Sequence, residues 1–296
     1  VSLAIAPRDL DALERQVQAA LRSGDYGVFD VLGHGEDTLV LKVRTGEGTF
    51  ACKRLPPFPD YDRFQRYEET LARYVGQLSA HGITVAPTEL RYLSRGRSGG
   101  VAYCVQEALP PAQLCSKLLH TRDLGWAKSF FARYLTAIGR AARPDLGLDA
   151  QASNWFDLDG ELVFVDVTTP FLRDGRGREQ ADVGLLLTSL PWILRGAVKA
   201  VMLKAATDKY YSTRGIVLDF LGNLYKDRLD SLVPVFLEQA NERLEVPLSS
   251  GEVARYYAGD ARMWAIVQRL RKADRFWQRT VRRRTYPFLL PPTIRR

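Results

Sequence analysis

Cysteine is scarce in this chain of 296 residues. Cys52, Cys104 and Cys115 are too few and too scattered for a disulfide framework or a zinc site. Cys52 and Cys104 each sit in an apolar run, where a small buried thiol fits, and such usage belongs to a reducing compartment. The expected location is therefore cytoplasmic. The opening residues, VSLAIAPRDLDALERQ, lack the basic start and long apolar stretch of a secretion signal. Bilayer-spanning runs are missing too. The most apolar stretch, 184–203, is interrupted by Pro191, Arg195 and Lys199, whose charges would be costly in lipid, and reads as a buried helix. There is no internal repeat or low-complexity segment. No zinc-finger, RRM or helix-turn-helix pattern is present, which counts against nucleic acid as the partner.

What remains is an ordinary globular composition: 46% hydrophobic against 26% charged residues, enough apolar surface to pack a sizeable core. The net charge of +8 is unevenly spread. Residues 255–296 carry twelve Arg or Lys and two acids, so the tail alone makes the protein basic. Its pattern is a basic helix around Arg269–Arg279, then Arg282–Arg284, then an apolar strap, YPFLLPP. The simplest reading is a solvated helix with the strap packed on the helical part of the chain. Other readings are arginines at a cleft gripping an anionic acceptor, or contact with an anionic membrane surface through Trp277 and Phe288.

Along the chain, Leu10, Leu13, Val17 and Leu21 share one face of an amphipathic helix over 8–22. Strand-like runs follow at 26–32, 38–44 and 49–55, with a glycine-containing turn at 45–48. Pro56, Pro57 and Pro59 end this meander. A helix is expected over 61–79, with Phe64, Glu68, Leu71, Val75 and Leu78 in one stripe. Strands at 88–93 and 101–108 complete five antiparallel strands with one helix inserted after the third. Pro110-Pro111 marks a boundary, dividing the chain into 1–109 and a mainly helical 110–296. A helix is expected over 123–141.

Four pieces along this layout carry chemistry. Gly33-His34-Gly35, at a bend between strands, has missing side chains that let backbone N–H groups approach phosphates, although two glycines also make a plain turn. Lys53, flanked by apolar residues on a strand, either reaches into a cleft toward a phosphate or faces solvent. Glu68, if inside its helix stripe, needs a cation, and Lys53 is the candidate within about 4 Å; otherwise Glu68 is the wet rim of the stripe. The fourth piece is the most specific. Asp149 stands five residues before Asn154, and a hairpin turning at Asp159-Gly160 brings Asp166 back beside Asn154. Two oxygen ligands presented together suit Mg²⁺ bridging a triphosphate.

The order of these pieces, over about 24–171, resembles the protein-kinase-like superfamily, and the spacing is similar to its aminoglycoside and choline phosphotransferase branch. The QASNW and DVTTPF runs and the thirty-three Arg against nine Lys resemble a divergent actinobacterial branch. The resemblance implies an α+β, bilobal protein-kinase-like fold, with a five-stranded antiparallel N-lobe and a mainly helical C-lobe. It implies an ATP- and Mg²⁺-dependent phosphotransferase acting on a small-molecule hydroxyl, with an acceptor that carries negative charge if the tail arginines reach it. Lys53 would bind phosphates, held by Glu68; Asp149 would be the base; Asn154 and Asp166 would hold the metal. The backbone of Val105–Leu109, notably Glu107 and Leu109, would meet adenine. The sequence departs from the pattern in three places: Gly147-Leu148 replaces His-Gly before Asp149, Val167-Thr168-Thr169 follows Asp166, and Glu36 and Asp37 crowd the glycine loop. The D-F-G and A-P-E landmarks of peptide and protein kinases are absent after Asp166. The alternatives are a peptide or protein Ser/Thr kinase, against which those absences count, and a nucleotide-binding pseudokinase scaffold, which the departures keep open.

Overall fold

The computed structural model describes residues 3, 5–34, 38–96, 99–182, 185, 207–283, 286, 288 and 289. The chain is an α+β protein. Helix α1 (Pro7–Ser23) starts with proline in its first turn and stops at Gly24, whose φ of 83° is the left-handed cap that glycine adopts without strain. Its expected stripe, Leu10, Leu13, Val17 and Leu21, is buried.

Strands β1 (Val31–His34), β2 (Leu39–Thr45) and β3 (Gly48–Arg54) follow, then helix α2 (Tyr61–Ala80). The two-residue strand β4 (Thr84–Val85), β5 (Thr88–Ser94) and β6 (Gly100–Glu107) come next. One antiparallel sheet has the order β1-β2-β3-β6-β5, the five strands expected, although the first begins only at Val31 rather than Tyr26. α2 starts at Asp60, whose carboxylate accepts from the Arg63 N–H at 2.7 Å.

Period-2 alternation gives the sheet two different faces. Phe50 and Cys52 of β3, and Tyr103 and Val105 of β6, pack against α1. Ala51 and Lys53, and Cys104 and Gln106, point the other way. All three cysteines are free and buried, and burial pushes the Cys52 and Cys104 thiols up to about 12.

Beyond β6 come helices α3 (Cys115–Thr121) and α4 (Leu124–Ala141), then a hairpin of β7 (Trp155–Leu158) and β8 (Glu161–Phe164). β8 also pairs in parallel with β4, so a second, three-stranded sheet has the order β4-β8-β7. Helices α5 (Thr213–Lys226), α6 (Val233–Asn241) and α7 (Ser250–Phe276) follow, and α7 runs on into a wider turn at Trp277–Val281. An aromatic cluster joins α4, α5 and α6: Phe131 stacks on Phe236 at 4.2 Å, and Tyr134 meets Phe220 at 4.5 Å.

The apolar strap is placed differently from the sequence reading. Leu289 is buried with Leu3, Ile5, α1 and the five-stranded sheet, not on the helical part. Phe288 is buried as well, which removes it as a membrane anchor. The strap is preceded by Arg279, whose Nη2 donates to the Leu21 carbonyl at 2.8 Å in the last turn of α1, a favourable site for a cation. Apart from Leu185, the 184–203 stretch lies outside the described residues, and among those described no helix is long and apolar enough to cross a membrane.

One buried network under α1 was not legible in the sequence. Arg54 points to the α1 side of β3 and is only 3% exposed; its Nε and Nη2 donate to Glu14 at 2.9 and 3.1 Å. The Tyr103 hydroxyl donates to Glu14 at 2.6 Å, and Arg95 pairs with it too. Burial would raise the Glu14 carboxyl, but Arg54 and Tyr103 hold it below its ordinary value. Removing one partner leaves a buried charge uncompensated. Glu14→Ala should therefore cost about 3–5 kcal/mol in urea denaturation. Arg178→Ala, which breaks an exposed pair with Asp174, should stay within about 0.5 kcal/mol. Equal losses would mean the buried network is worth no more than a surface pair.

Candidate functional site

The sheet face opposite α1 forms the roof of a cavity of about 430 Å³, floored by the segment 149–168. Gly33, Lys53, Glu107, Leu109, Asp149, Asn154 and Asp166 all line it. Gly35 lies outside the described residues, as do Glu36 and Asp37. An added Cβ on Gly33 would meet only Val40 at 3.8 Å, so packing alone does not require glycine there.

Lys53 reaches the cavity because Phe50 and Cys52 are committed to the α1 side. Its Nζ lies 2.8 Å from Asp166 Oδ1. Burial would raise the Asp166 carboxyl, but the Lys53 ammonium and the Thr168 hydroxyl, which donates at 2.9 Å, hold it below the ordinary value.

The expected Lys53–Glu68 pair is not formed. Glu68 is exposed, does not line the cavity, and has no ion-pair partner among the described residues. Burial and then its neighbour Glu69 push the Glu68 carboxyl up. The cause is helix phase. The buried stripe of α2 is Phe64, Tyr67, Leu71, Tyr74 and Leu78, one residue round from the expected stripe at two positions. Two large aromatic rings bury more apolar area than Glu68 and Val75 would, so they win the inner face. That signal was in the sequence, in two tyrosines seven residues apart. Tyr67 contributes a hydroxyl where Glu68 was expected to give a carboxylate, and donates to the Thr168 carbonyl at 2.8 Å.

The loop before Asp149 lacks the histidine of the resembled family and is held by other groups. The Tyr74 hydroxyl donates to the Gly147 carbonyl at 3.0 Å. The Gly147 N–H donates to Phe171, and the Leu148 N–H to the Tyr210 carbonyl. A Cβ on Gly147 would fall 2.7 Å from that same Tyr210 oxygen, so only glycine fits. Asn154 Nδ2 then donates to the Asp149 carbonyl at 2.9 Å, closing the loop onto itself.

Asn154 and Asp166 are brought together by the hairpin. Asp159 and Gly160 have φ of 52° and 95°, the double left-handed turn that Asp-Gly favours. Arg133 clamps it from α4, forking onto both oxygens of Asp157 and donating to the Gly160 carbonyl at 2.7 Å. The Val165 N–H then donates to the Asn154 carbonyl at 3.0 Å. Among the described residues, no cluster of three or more His, Cys, Asp or Glu fits a metal ion. Asn154 and Asp166 are two oxygen donors beside an open cavity, the set Mg²⁺ takes when phosphates and water complete its shell.

At the far wall the ladder stops in a useful way. The Ala108 N–H donates to the Thr49 carbonyl at 2.9 Å, so in antiparallel pairing the peptide groups of Glu107 turn away from β3. Continuing the β5–β6 register puts Pro87 opposite Glu107, and proline has no N–H to give. The Glu107 carbonyl is therefore left without a strand donor.

Two further cavity residues had no signal in the sequence. Gln106 is buried, and its Nε2 donates to Thr88 Oγ1 at 2.8 Å and to the Val165 carbonyl at 2.9 Å, tying the sheet to the floor. Lys226, from the last turn of α5, donates to Gln151 Oε1 at 2.9 Å, and Gln151 Nε2 lies 3.2 Å from Asp149 Oδ2. Both depend on contacts between distant segments. No described tail arginine lines the cavity.

Residues 12–275 match a family of unknown function (DUF6206), and the chain belongs to that family. No curated protein matches the chain.

Tyr67→Phe, which strands a buried carbonyl, should cost about 1–3 kcal/mol in urea denaturation. Glu68→Ala should change stability by no more than about 0.5 kcal/mol. The reverse order would restore Glu68 to the site.

Acid should expose the Asp166 interaction separately. Its folded pKa lies below the unfolded value of about 3.9, so its contribution is present above that pH and fades as pH falls through the folded value. Stability measured from about pH 6 down to about pH 3 should fall more steeply for wild type than for Asp166→Asn. Parallel curves would show that Asp166 gains nothing from Lys53.

Proposed function

We propose that this chain is an ATP- and Mg²⁺-dependent phosphotransferase of bilobal, protein-kinase-like fold, acting on a hydroxyl of a small molecule. In this reading residues 1–109 are the N-lobe and 110–296 the C-lobe. The observation that carries it is the meeting of Lys53, Asp149, Asn154 and Asp166, from separate stretches of chain, around one cavity of about 430 Å³, within the usual size range of small-molecule sites. Lys53 sits 2.8 Å from Asp166, so the cation and the metal-type carboxylate already share a point in space.

The chemistry follows from the residues. The Glu107 carbonyl and the Leu109 N–H offer an acceptor and a donor to the edge of adenine. Lys53 neutralises the phosphates. Asn154 and Asp166 would hold Mg²⁺, which supplies charge neutralisation across the phosphate chain. Asp149 orients the acceptor hydroxyl and takes its proton. The hydroxyl oxygen bonds to the γ-phosphorus, the bond to the ADP oxygen breaks, and its electron pair leaves with ADP. Gln151, polarised by Lys226, steadies the Asp149 carboxylate.

A nucleotide-binding scaffold without turnover is the second reading. It is favoured by Lys53 being engaged by Asp166 while Glu68 stays outside the cavity.

Thermal shift with nucleotide, joined to an acceptor screen, separates the two. ATP with Mg²⁺ should raise the melting temperature of wild type, and Asp166→Ala should abolish the Mg²⁺-dependent part. Asp149→Asn should keep the shift and lose phosphotransfer by a factor of about 10²–10⁴ per folded molecule. Equal turnover in wild type and Asp149→Asn would put the base elsewhere. An unshifted wild type would remove the nucleotide itself from the reading. Tight binding by wild type with no transfer to any hydroxyl acceptor would favour the scaffold.

A further inference from the structure

Of the nine large hydrophobic side chains exposed among the described residues, five belong to α7 and its terminal turn: Met263, Ile266, Phe276, Trp277 and Val281. Phe276 aside, the helical ones are not scattered round the helix. Met263, Ile266, half-buried Leu270 and Trp277 follow three- and four-residue spacing, which lines them up on one side. The side about a quarter-turn round is occupied by the protein itself: Val253, Trp264 and Arg271 are buried there, and the Tyr257 ring stacks on Tyr225 of α5 at 5.3 Å.

Arg255, Arg262, Arg269 and Lys272 are exposed along one flank of the apolar stripe, and Arg282 and Arg283 continue past its end. The acids on α7 are not exposed: Asp274 is buried, Asp260 half-buried, and half-buried Glu252 pairs with Arg214 at 2.8 Å. No exposed position from 250 to 283 carries a carboxylate. This face is thus apolar along its middle and of one sign along its edge.

We propose that the exposed face of α7 docks on an anionic lipid bilayer, with Met263, Ile266 and Trp277 entering the headgroup–acyl boundary and the arginine row facing lipid head groups. Such a surface uses both parts of the pattern, because an interfacial helix gains from buried apolar area and from cations near anionic lipid. The rival occupants each use only one part. A second copy would match the three-four spacing but set cation row near cation row. Nucleic acid would meet the arginines and leave the apolar stripe wet. The proposal is independent of the chemistry assigned to the cavity, since no α7 residue lines it.

Co-sedimentation of the full chain with vesicles tests it. Phosphatidylcholine vesicles containing roughly a third phosphatidylserine should pellet the protein, phosphatidylcholine alone should not, and raising the salt should weaken the binding. The double variant Ile266→Ser, Trp277→Ser should lower the partition about tenfold or more, as should Arg262→Glu with Arg269→Glu. All four positions are exposed, so unchanged melting temperatures are expected. Val246→Ser, an exposed apolar site on another segment, should bind as wild type does. Failure to pellet with anionic vesicles at about 0.1 M salt would overturn the proposal. So would wild-type binding by either double variant, or a dimer in sedimentation equilibrium that Ile266→Ser, Trp277→Ser dissociates. Duplex DNA binding lost by the charge variant, with no vesicle binding, would reassign the face to nucleic acid.

Discussion

The pairing of Lys53 with Asp166 is the contact on which the arrangement of the cavity depends. It spans 113 positions of sequence and joins the roof of the cavity to its floor. Each member is otherwise a charge in a partly desolvated site. Asp166 is about one-third exposed and Lys53 about one-fifth, so neither is well solvated alone. Everything nearby serves to bring the two together. β3 alternation aims the lysine, the Asp-Gly hairpin aims the carboxylate, and Gln106 bridges the strand bearing Cys104 to the residue before Asp166. A polyanion entering the cavity competes for the same ammonium. Under the proposed function the pair would be a resting neutralisation, from which a bound phosphate would draw the lysine.

Local order was easy to read, and distant order was not. The turn at Asp159-Gly160 and the five antiparallel strands follow from short-range rules, because backbone conformation at such positions leaves few choices. The cavity residues Lys53, Asp149, Asn154 and Asp166 were legible for a related reason. Lys53 is set by strand alternation, while Asp149, Asn154 and Asp166 stand around a hairpin whose Asp-Gly turn is fixed locally. Glu68 failed because two stripes on α2 fit the helical period, and their difference lies in how much area the two tyrosines bury, which spacing does not encode. Gln106, Lys226 and Glu14 were invisible, since each is defined by a partner dozens of residues away. Arg54 shows the limit clearly. It follows Lys53 in sequence, yet the pleat sends it to the opposite face, into a buried ion network.

Two tyrosine hydroxyls replace charged or aromatic supports expected from the resemblance. Tyr67 and Tyr74 lie two turns apart on α2 and hold the residues flanking Asp166 and Asp149 respectively, through carbonyls rather than side chains. A hydroxyl on a carbonyl holds position without adding charge. Burial pushes both phenols well above their ordinary range, so these supports do not titrate under physiological conditions. The electrostatics of the cavity are left to Lys53, Lys117, Lys226 and the carboxylates.

The position of Leu289 has a consequence for how the protein is made. The hydrophobic layer between α1 and the five-stranded sheet contains residues from the first fifth of the chain, residues 101–105 of β6, and Leu289. At about 5–20 residues per second, ribosomal synthesis separates Leu41 from Leu289 by on the order of ten to fifty seconds. For that interval the layer exists without its last apolar side chain, and the carbonyl end of α1 waits for Arg279. The nascent chain therefore carries an incompletely covered sheet face through most of its synthesis, the stage at which chaperones find their clients.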